Sequence, residues 1–118
     1  MPIRAKIVAP DGTERNRREI FFRDREIYDD QLPLDMYPIT HLVNREGIGV
    51  ILTDGHHECE ASLHRYDEFF YIGSAYRRLG SRDYTRKFRR FLEEVGIVNE
   101  GTLVMLEFEE YRIHISRI

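Results

Sequence analysis

The stretch DYTRKFRRFLEEVGIVNEGTLVMLEFE, residues 83–109, decides the fold class of this chain. Its first half, Asp83–Val95, places apolar side chains on one face of a 3.6-residue period and charged ones on the other. Gly96 follows at the position where a left-handed residue commonly ends a helix. The segment therefore predicts an amphipathic helix, a turn and then a strand over Leu103–Glu109. The apolar face contains Tyr84, Phe88, Phe91, Leu92 and Val95, and the opposite face contains Arg82, Arg86, Arg89, Arg90 and Glu93.

Outward from this stretch, the chain consists of short apolar segments separated by turn residues. Asp54-Gly55 is a dipeptide favoured in tight hairpins, because both residues tolerate positive φ. Pro33 and Pro38 exclude a long regular element over residues 29–38, and we expect a short helical turn near residues 40–44. Residues 73–80 are predicted to form a loop. The other predicted strands are Ile3–Ala9, Glu19–Phe22, Gly49–Thr53, His57–Leu63, Tyr66–Ile72 and Tyr111–Ile115.

About seven strands and one clear helix predict a mostly β protein. Strands and helices do not alternate regularly, so a parallel sheet is not expected. Short strands joined by tight turns favour a small seven-stranded open barrel, antiparallel or mixed, with an amphipathic helix in its C-terminal half. The four successive apolar residues 103–106 indicate a strand covered on both faces. On the outer face of the hairpin predicted around Asp54-Gly55, Glu58, Glu60 and Ser62 should face solvent.

The composition limits the class of protein. The 118 residues suit one domain, spanning 1–118. No apolar run approaches the roughly 18 residues of a membrane helix, and residues 1–6 lack a signal-peptide core. We therefore expect a cytoplasmic protein without a membrane partner. Cys59 is the single cysteine, which we expect to be a buried apolar side chain.

The charged residues are unevenly chosen. The net charge is −3, which argues against a general polycation that binds any nucleic acid. The basic residues are nevertheless 16 Arg and 2 Lys, and the arginine fork pairs with phosphates and guanine edges. A GC-rich genome or a thermophilic surface would produce the same bias, so both explanations stay open.

The order of elements after residue 48 resembles the B3-type pseudobarrel of plant transcription factors, a barrel that also forms the recognition domain of some restriction enzymes. Val50–Gly55 resembles the first hairpin of that pattern, and Phe88 or Phe91 resembles its buried helix aromatic. Val95–Phe108 resembles its turn and penultimate strand, and Tyr111–Ile115 its last strand. The chain has no Trp, unlike the family.

The resemblance implies duplex-DNA binding through two loop arms that grip the major groove. Arg can pair with guanine O6 and N7, Asn can pair with adenine, and further Arg side chains hold phosphates. Each cluster is also compatible with a solvated loop, in which Arg17 and Arg18 pair with Glu19 for little gain. The first arm maps to Arg15, Asn16, Arg17 and Arg18, or to Arg23 and Arg25, and the second maps to His64, Arg65 and Tyr66.

The remaining patterns predict no metal site or cofactor and favour a protein that is not an enzyme, with a small hydrolase or nuclease as the weakest alternative. His56–Glu60 is the densest run of potential ligands, but a strand divides it between two faces, and zinc needs about four convergent ligands. No nucleophile or phosphate-loop motif is present. The aromatic residues 66–76 suit either a stacking surface for single strands or a core with a sheet face. We therefore predict a duplex-DNA-binding module, with a protein-interaction or structural barrel subunit, homo-oligomeric or bound to a partner, as the alternative.

Overall fold

The computed structural model describes residues 3–9, 17–23 and 43–118. The proline-containing segment over residues 29–38, for which no long regular element was predicted, lies outside them, as do residues 40–42 of the predicted helical turn. Within the described residues the chain forms seven strands and two helices. The strands are β1 Ile3–Val8, β2 Glu19–Arg23, β3 Ile48–Thr53, β4 Glu58–Tyr66, β5 Phe69–Ser74, β6 Leu103–Glu109 and β7 Arg112–Arg117; the helices are α1 Tyr76–Leu79 and α2 Asp83–Val95.

The seven strands form a closed barrel in the order β1-β2-β5-β4-β3-β7-β6. Strand β1 pairs antiparallel with β6, with Ile3 opposite Leu106, and this pairing closes the cylinder. The barrel class was predicted correctly, but the prediction of an open barrel was wrong. Closure satisfies the backbone groups that an open sheet would leave unpaired at its two edges. The sheet is mixed, because β3 and β7 run parallel while every other neighbouring pair is antiparallel.

Alternating residues fill the barrel interior. Phe22 and Phe70 stack at its centre, with ring centroids 4.9 Å apart and planes 1° apart. The interior is packed with fully buried aliphatic side chains from all seven strands. The prediction that β6 is covered on both faces was wrong, because Leu103 is 55% exposed while Val104 and Leu106 are buried.

Helix α2 has the boundaries that the sequence predicted, and it packs against β4 and β5. Phe88, Phe91 and Leu92 form its buried face. Gly96 ends it with φ +81°, a left-handed conformation that glycine adopts without a Cβ penalty. The amide of Ile97 then donates to the carbonyl of Leu92 at 2.9 Å, which fixes the direction of the following turn.

Local connections differ from the predictions at three places. Tyr66 belongs to β4 and not to β5, because a two-residue turn at Asp67 and Glu68 separates the strands. The predicted loop over 73–80 contains the single helical turn α1. The hairpin of β3 and β4 turns over the four residues 54–57, in which Gly55 has φ +98°.

No helix among the described residues is both long and apolar enough to cross a membrane.

Candidate functional site

A cleft of about 950 Å³ lies on the outer face of the barrel. Its floor is one cross-strand row, because the registers place Lys6 opposite Phe21, Phe21 opposite Tyr71 and Tyr71 opposite His64. These residues alternate with the interior ones, so they point away from the core. Two pairs of strands that are distant in sequence, β1–β2 and β4–β5, therefore contribute to one surface.

Aromatic rings form the centre of this floor. The ring centroids of Phe21 and Tyr71 are 5.3 Å apart, and those of Tyr66 and Tyr71 are 5.7 Å apart. Phe69, beside them on β5 but outside the described lining of the cleft, lies 5.6 Å from Phe21. All four rings are half-buried. We call Phe21, Tyr66, Phe69 and Tyr71 the aromatic platform.

Cations surround the aromatic platform. The Nζ of Lys6 and the Cζ of Arg23 each lie 5.9 Å from the ring centroid of Phe21, within cation–π range. No carboxylate among the described residues forms an ion pair with either group. The basic residues along the cleft are Lys6, Arg17, Arg18, Arg23, Arg82, Arg86 and Arg89, and the only carboxylate in its described lining is Glu19.

Helix α2 supplies one wall of the cleft. Arg82, Arg86 and Arg89 recur at steps of four and three residues, which places them on one stripe of the helix. Arg86 lies 3.8 Å from Asp83, and both side chains are largely exposed. Arg89 donates from Nε to Glu93 at 3.1 Å, across one helical turn at i,i+4 spacing. Exposed pairs of this kind contribute little to stability, so a competing anion can displace them at small cost.

The segment before β2 forms the facing wall. Arg17 pairs with Glu19 at 3.0 Å, as the loop alternative proposed. Arg18 donates from Nε to the carbonyl of Val98 at 3.0 Å, which ties this segment to the turn after α2. Arg18 therefore fixes the wall, while Arg17 offers its guanidinium beside a half-buried carboxylate.

The sequence-predicted site residues divide into three groups. The cleft brings together Arg17, Arg18, Arg23, His64 and Tyr66. Arg65 is not in the described lining of the cleft. Its side chain donates to the carbonyl of Asp67 at 2.8 Å and lies over the ring of Phe70. Arg15, Asn16 and Arg25 lie outside the described residues.

The second predicted arm occupies a strand. His64, Arg65 and Tyr66 lie at the end of β4, and the connection to β5 is only the two residues Asp67 and Glu68. A two-residue acidic turn is too short to reach into a groove. These residues therefore contribute a surface and not an extended arm.

His64 holds the edge of the cleft. It is 6% exposed, and its Nδ1 lies 3.0 Å from the carbonyl oxygen of Arg45. Gly47 approaches its ring so closely that a Cβ there would lie 2.4 Å from Cε1. The ring is therefore fixed by its neighbours. Arg45 also places its guanidinium 5.7 Å from the ring centroid of Tyr66.

Sequence reasoning missed the helix wall and most of the floor as site residues. The arginine stripe of α2 was visible as a pattern, but the pattern alone does not show what the stripe faces. The alternation of Phe69 and Tyr71 with Phe70 and Ile72 was also visible. Its outward side became identifiable only from the strand order.

The run from His56 to Glu60 forms a hairpin with separate partners. The carboxylate of Asp54 accepts the backbone N–H groups of His57 at 2.6 Å and of His56 at 2.9 Å, and these bonds hold its pKa well below the usual range. Glu58 pairs with Arg112. No three His, Cys, Asp or Glu side chains in the described part of the chain converge as metal ligands do.

Two further predictions concern β4. Cys59 is buried, and burial raises the pKa of its thiol to about 11. Ser62 was expected to face solvent and is fully buried, because Arg78 lies across it and donates from Nε to its Oγ at 2.9 Å. The acidic end of the same face, at Glu58 and Glu60, is exposed as predicted.

A comparison of the chain with models of protein families, with curated proteins and with solved structures found no match in any of the three. The resemblance to the B3-type barrel accordingly stays a prediction, and the function is argued from the geometry of the cleft.

Proposed function

We propose that this protein binds nucleic acid in the cleft, with the phosphate backbone held by the arginines of its two walls. The observation that carries the proposal is the segregation of charge. Seven basic side chains and one carboxylate line the described part of the cleft in a chain whose net charge is −3. Local concentration of one sign of charge in a concave surface attracts a polyanion even when the whole protein is acidic.

Arginine suits this role in two ways. Its planar fork donates two parallel hydrogen bonds to a phosphate, and its plane stacks on bases. Arg86 on α2 and Arg82, directly before its first residue, are both exposed, so a phosphate can reach them. The sequence resemblance implies duplex DNA as the ligand, and residues from both predicted arms border the cleft.

The first test measures binding of labelled DNA, duplex and single-stranded, across a series of salt concentrations. Replacement of Arg86 by Ala should weaken binding and lower the slope of log affinity against log salt by about 0.7–0.9, the value of one phosphate contact. Alanine is a good helix former, so the substitution should leave α2 intact.

Arg90→Ala is the matched control. Arg90 lies on the same helix and is exposed, but it borders a different depression together with Lys87 and Glu94. Both variants lose one positive charge, so a general charge effect would weaken them equally. Equal loss in Arg86→Ala and Arg90→Ala, or no binding by the wild type at low salt, would contradict the proposal.

A second candidate function is assembly with another protein or with a second copy of the chain. Its support is a pair of exposed apolar side chains, Leu103 at 55% and Ile118 at 61%, joined by a hydrogen bond from the Ile118 amide to the Leu103 carbonyl at 3.3 Å. Sedimentation over a concentration series tests this function directly. Association that Leu103→Asp abolishes would support it, and a monomer at every concentration would exclude self-association.

A further inference from the structure

We infer that the cleft binds unpaired bases, so that its ligand is a single-stranded nucleic acid; this inference rests on the proposed function. The aromatic platform is the feature that carries it. Its four rings lie on the outer face of a barrel whose interior is already filled, so the core does not require them there. A surface on which bases stack requires rings at this position.

The platform and the cations are interleaved. Arg23 lies 5.5 Å from the ring centroid of Phe69 and 5.9 Å from that of Phe21. Lys6 also lies 5.9 Å from the ring centroid of Phe21, and the arginines of the α2 wall line the same cleft. A strand laid along this floor places bases on the rings and phosphates beside the cations, which is the usual combination in single-strand sites.

A duplex uses such a surface poorly. Its bases are already stacked and paired, so it presents only groove edges and phosphates to a protein. A concave floor of aromatic rings would gain no stacking from it. A single strand has base faces that are free to stack on the rings. Because all bases have such a face, binding should depend only weakly on sequence.

The chemistry of Tyr71 fits a neutral stacking surface. It lies at the centre of the row, in contact with Phe21 and Tyr66. Burial, followed by the nearby Glu19 carboxylate, raises the pKa of its phenol, which therefore carries no negative charge against a polyanion.

The test compares oligonucleotides of about 12 nucleotides, within the range of ~4–16 for known single-strand sites. One sequence is supplied as single-stranded DNA, as single-stranded RNA and as a DNA duplex, at one salt concentration. The DNA strand carries a fluorescent adenine analogue whose emission is quenched by stacking. The chain contains no Trp, so the signal of the analogue is free of tryptophan emission.

We expect the wild type to bind a single strand at least about tenfold more tightly than the duplex, with quenching of the analogue. Tyr71→Leu should weaken single-strand binding about tenfold or more, as loss of one stacked base does. Tyr71→Phe keeps the ring and should bind like the wild type. Tyr111→Leu is the control, because Tyr111 is 52% exposed and lies outside the described lining of the cleft.

Each outcome decides a different statement. Equal or tighter binding of the duplex, without quenching, overturns the inference and leaves the proposed function standing. Absence of binding by either form overturns both. Tighter binding of either single strand than of the duplex supports the inference, and the difference between the RNA and the DNA strand identifies which of the two the site prefers. The comparison of ligands on the wild-type protein holds even if Tyr71→Leu fails to fold.

Discussion

Gly47 shows how one residue sets the edge of the cleft. Its φ of +85° is unfavourable for any residue with a Cβ, and a Cβ there would lie 2.4 Å from Cε1 and 2.5 Å from Nδ1 of His64. We expect Gly47→Ala to lower the free energy of unfolding by about 2–3 kcal/mol, from backbone strain together with the displaced ring. Urea denaturation of both proteins measures this difference.

Gly80→Ala separates the two causes. Gly80 has a similar φ of +77°, but a Cβ there would meet nothing within 4 Å. Gly80→Ala should therefore lower the free energy of unfolding only by the strain of the left-handed conformation, about 1 kcal/mol. If both substitutions cost the same, the contact with His64 contributes nothing and the ring is held by other means.

Asp54 makes the stability of the hairpin formed by β3 and β4 depend on pH. Backbone donors from His57 and His56 hold the pKa of its carboxyl well below the ordinary value of about 3.9. The folded state thus binds this proton less readily than the unfolded chain. The stabilisation is complete above that value and is lost as pH falls below it. Asp54→Ala should cost about 1–2 kcal/mol at pH 7 and clearly less near pH 3, measured by urea denaturation; a difference that is independent of pH would contradict this account.

Helix α2 serves both as a structural lid and as a wall of the cleft. Leu92 is fully buried against the barrel, while Lys87 on the same helix is exposed. We expect Leu92→Ala to destabilise the protein by about 3 kcal/mol, through lost burial and a residual cavity. Lys87→Ala should stay within about 0.5 kcal/mol of the wild type. Thermal or urea unfolding followed by circular dichroism provides the measurement, and similar losses in the two variants would mean that α2 does not pack as described.

The elements show why part of the fold was predictable. Helix α2 and strand β6 were located correctly because their signals are local: a 3.6-residue period, a glycine stop and a β-rich run. The end of β4 was missed because the turn between Tyr66 and Phe69 contains no Gly or Pro, so the aromatic residues on its two sides were assigned to one strand. Barrel closure was missed because the pairing of Ile3 with Leu106 joins distant parts of the chain, which no local period encodes.

The same reasoning applies to the cleft. Arg17, Arg23 and Tyr66 were predicted from a resemblance, and the structure places them on one surface. Lys6 and Arg86 were missed because only the strand order and the docking of α2 bring them there. The cleft is therefore a property of the tertiary structure rather than of any one segment.

At the scale of the whole molecule, the described residues carry charge of different sign on different faces of the barrel. The cleft is basic, whereas exposed carboxylates such as Glu58, Glu60, Glu107 and Glu109 occupy the outer faces of β4 and β6. An acidic outer surface repels a polyanion, so it should favour approach through the cleft. This arrangement explains how a net charge of −3 is compatible with the proposed ligand.

Closure of the barrel also predicts how the molecule opens. Cys59 is 7% exposed in the core cluster, and burial raises the pKa of its thiol to about 11, so little thiolate forms at pH 8. A closed barrel has no edge strand that can fray, and we expect labelling of Cys59 by a thiol reagent to require global unfolding. The native protein should react at least about 100-fold more slowly than the unfolded chain.

A urea series tests whether labelling of Cys59 reports global unfolding. When labelling is slow compared with reclosing of the protein, the free energy of opening calculated from labelling rates should equal the free energy of equilibrium unfolding. A smaller value with little urea dependence would show instead that α2 detaches from β4 while the barrel stays closed.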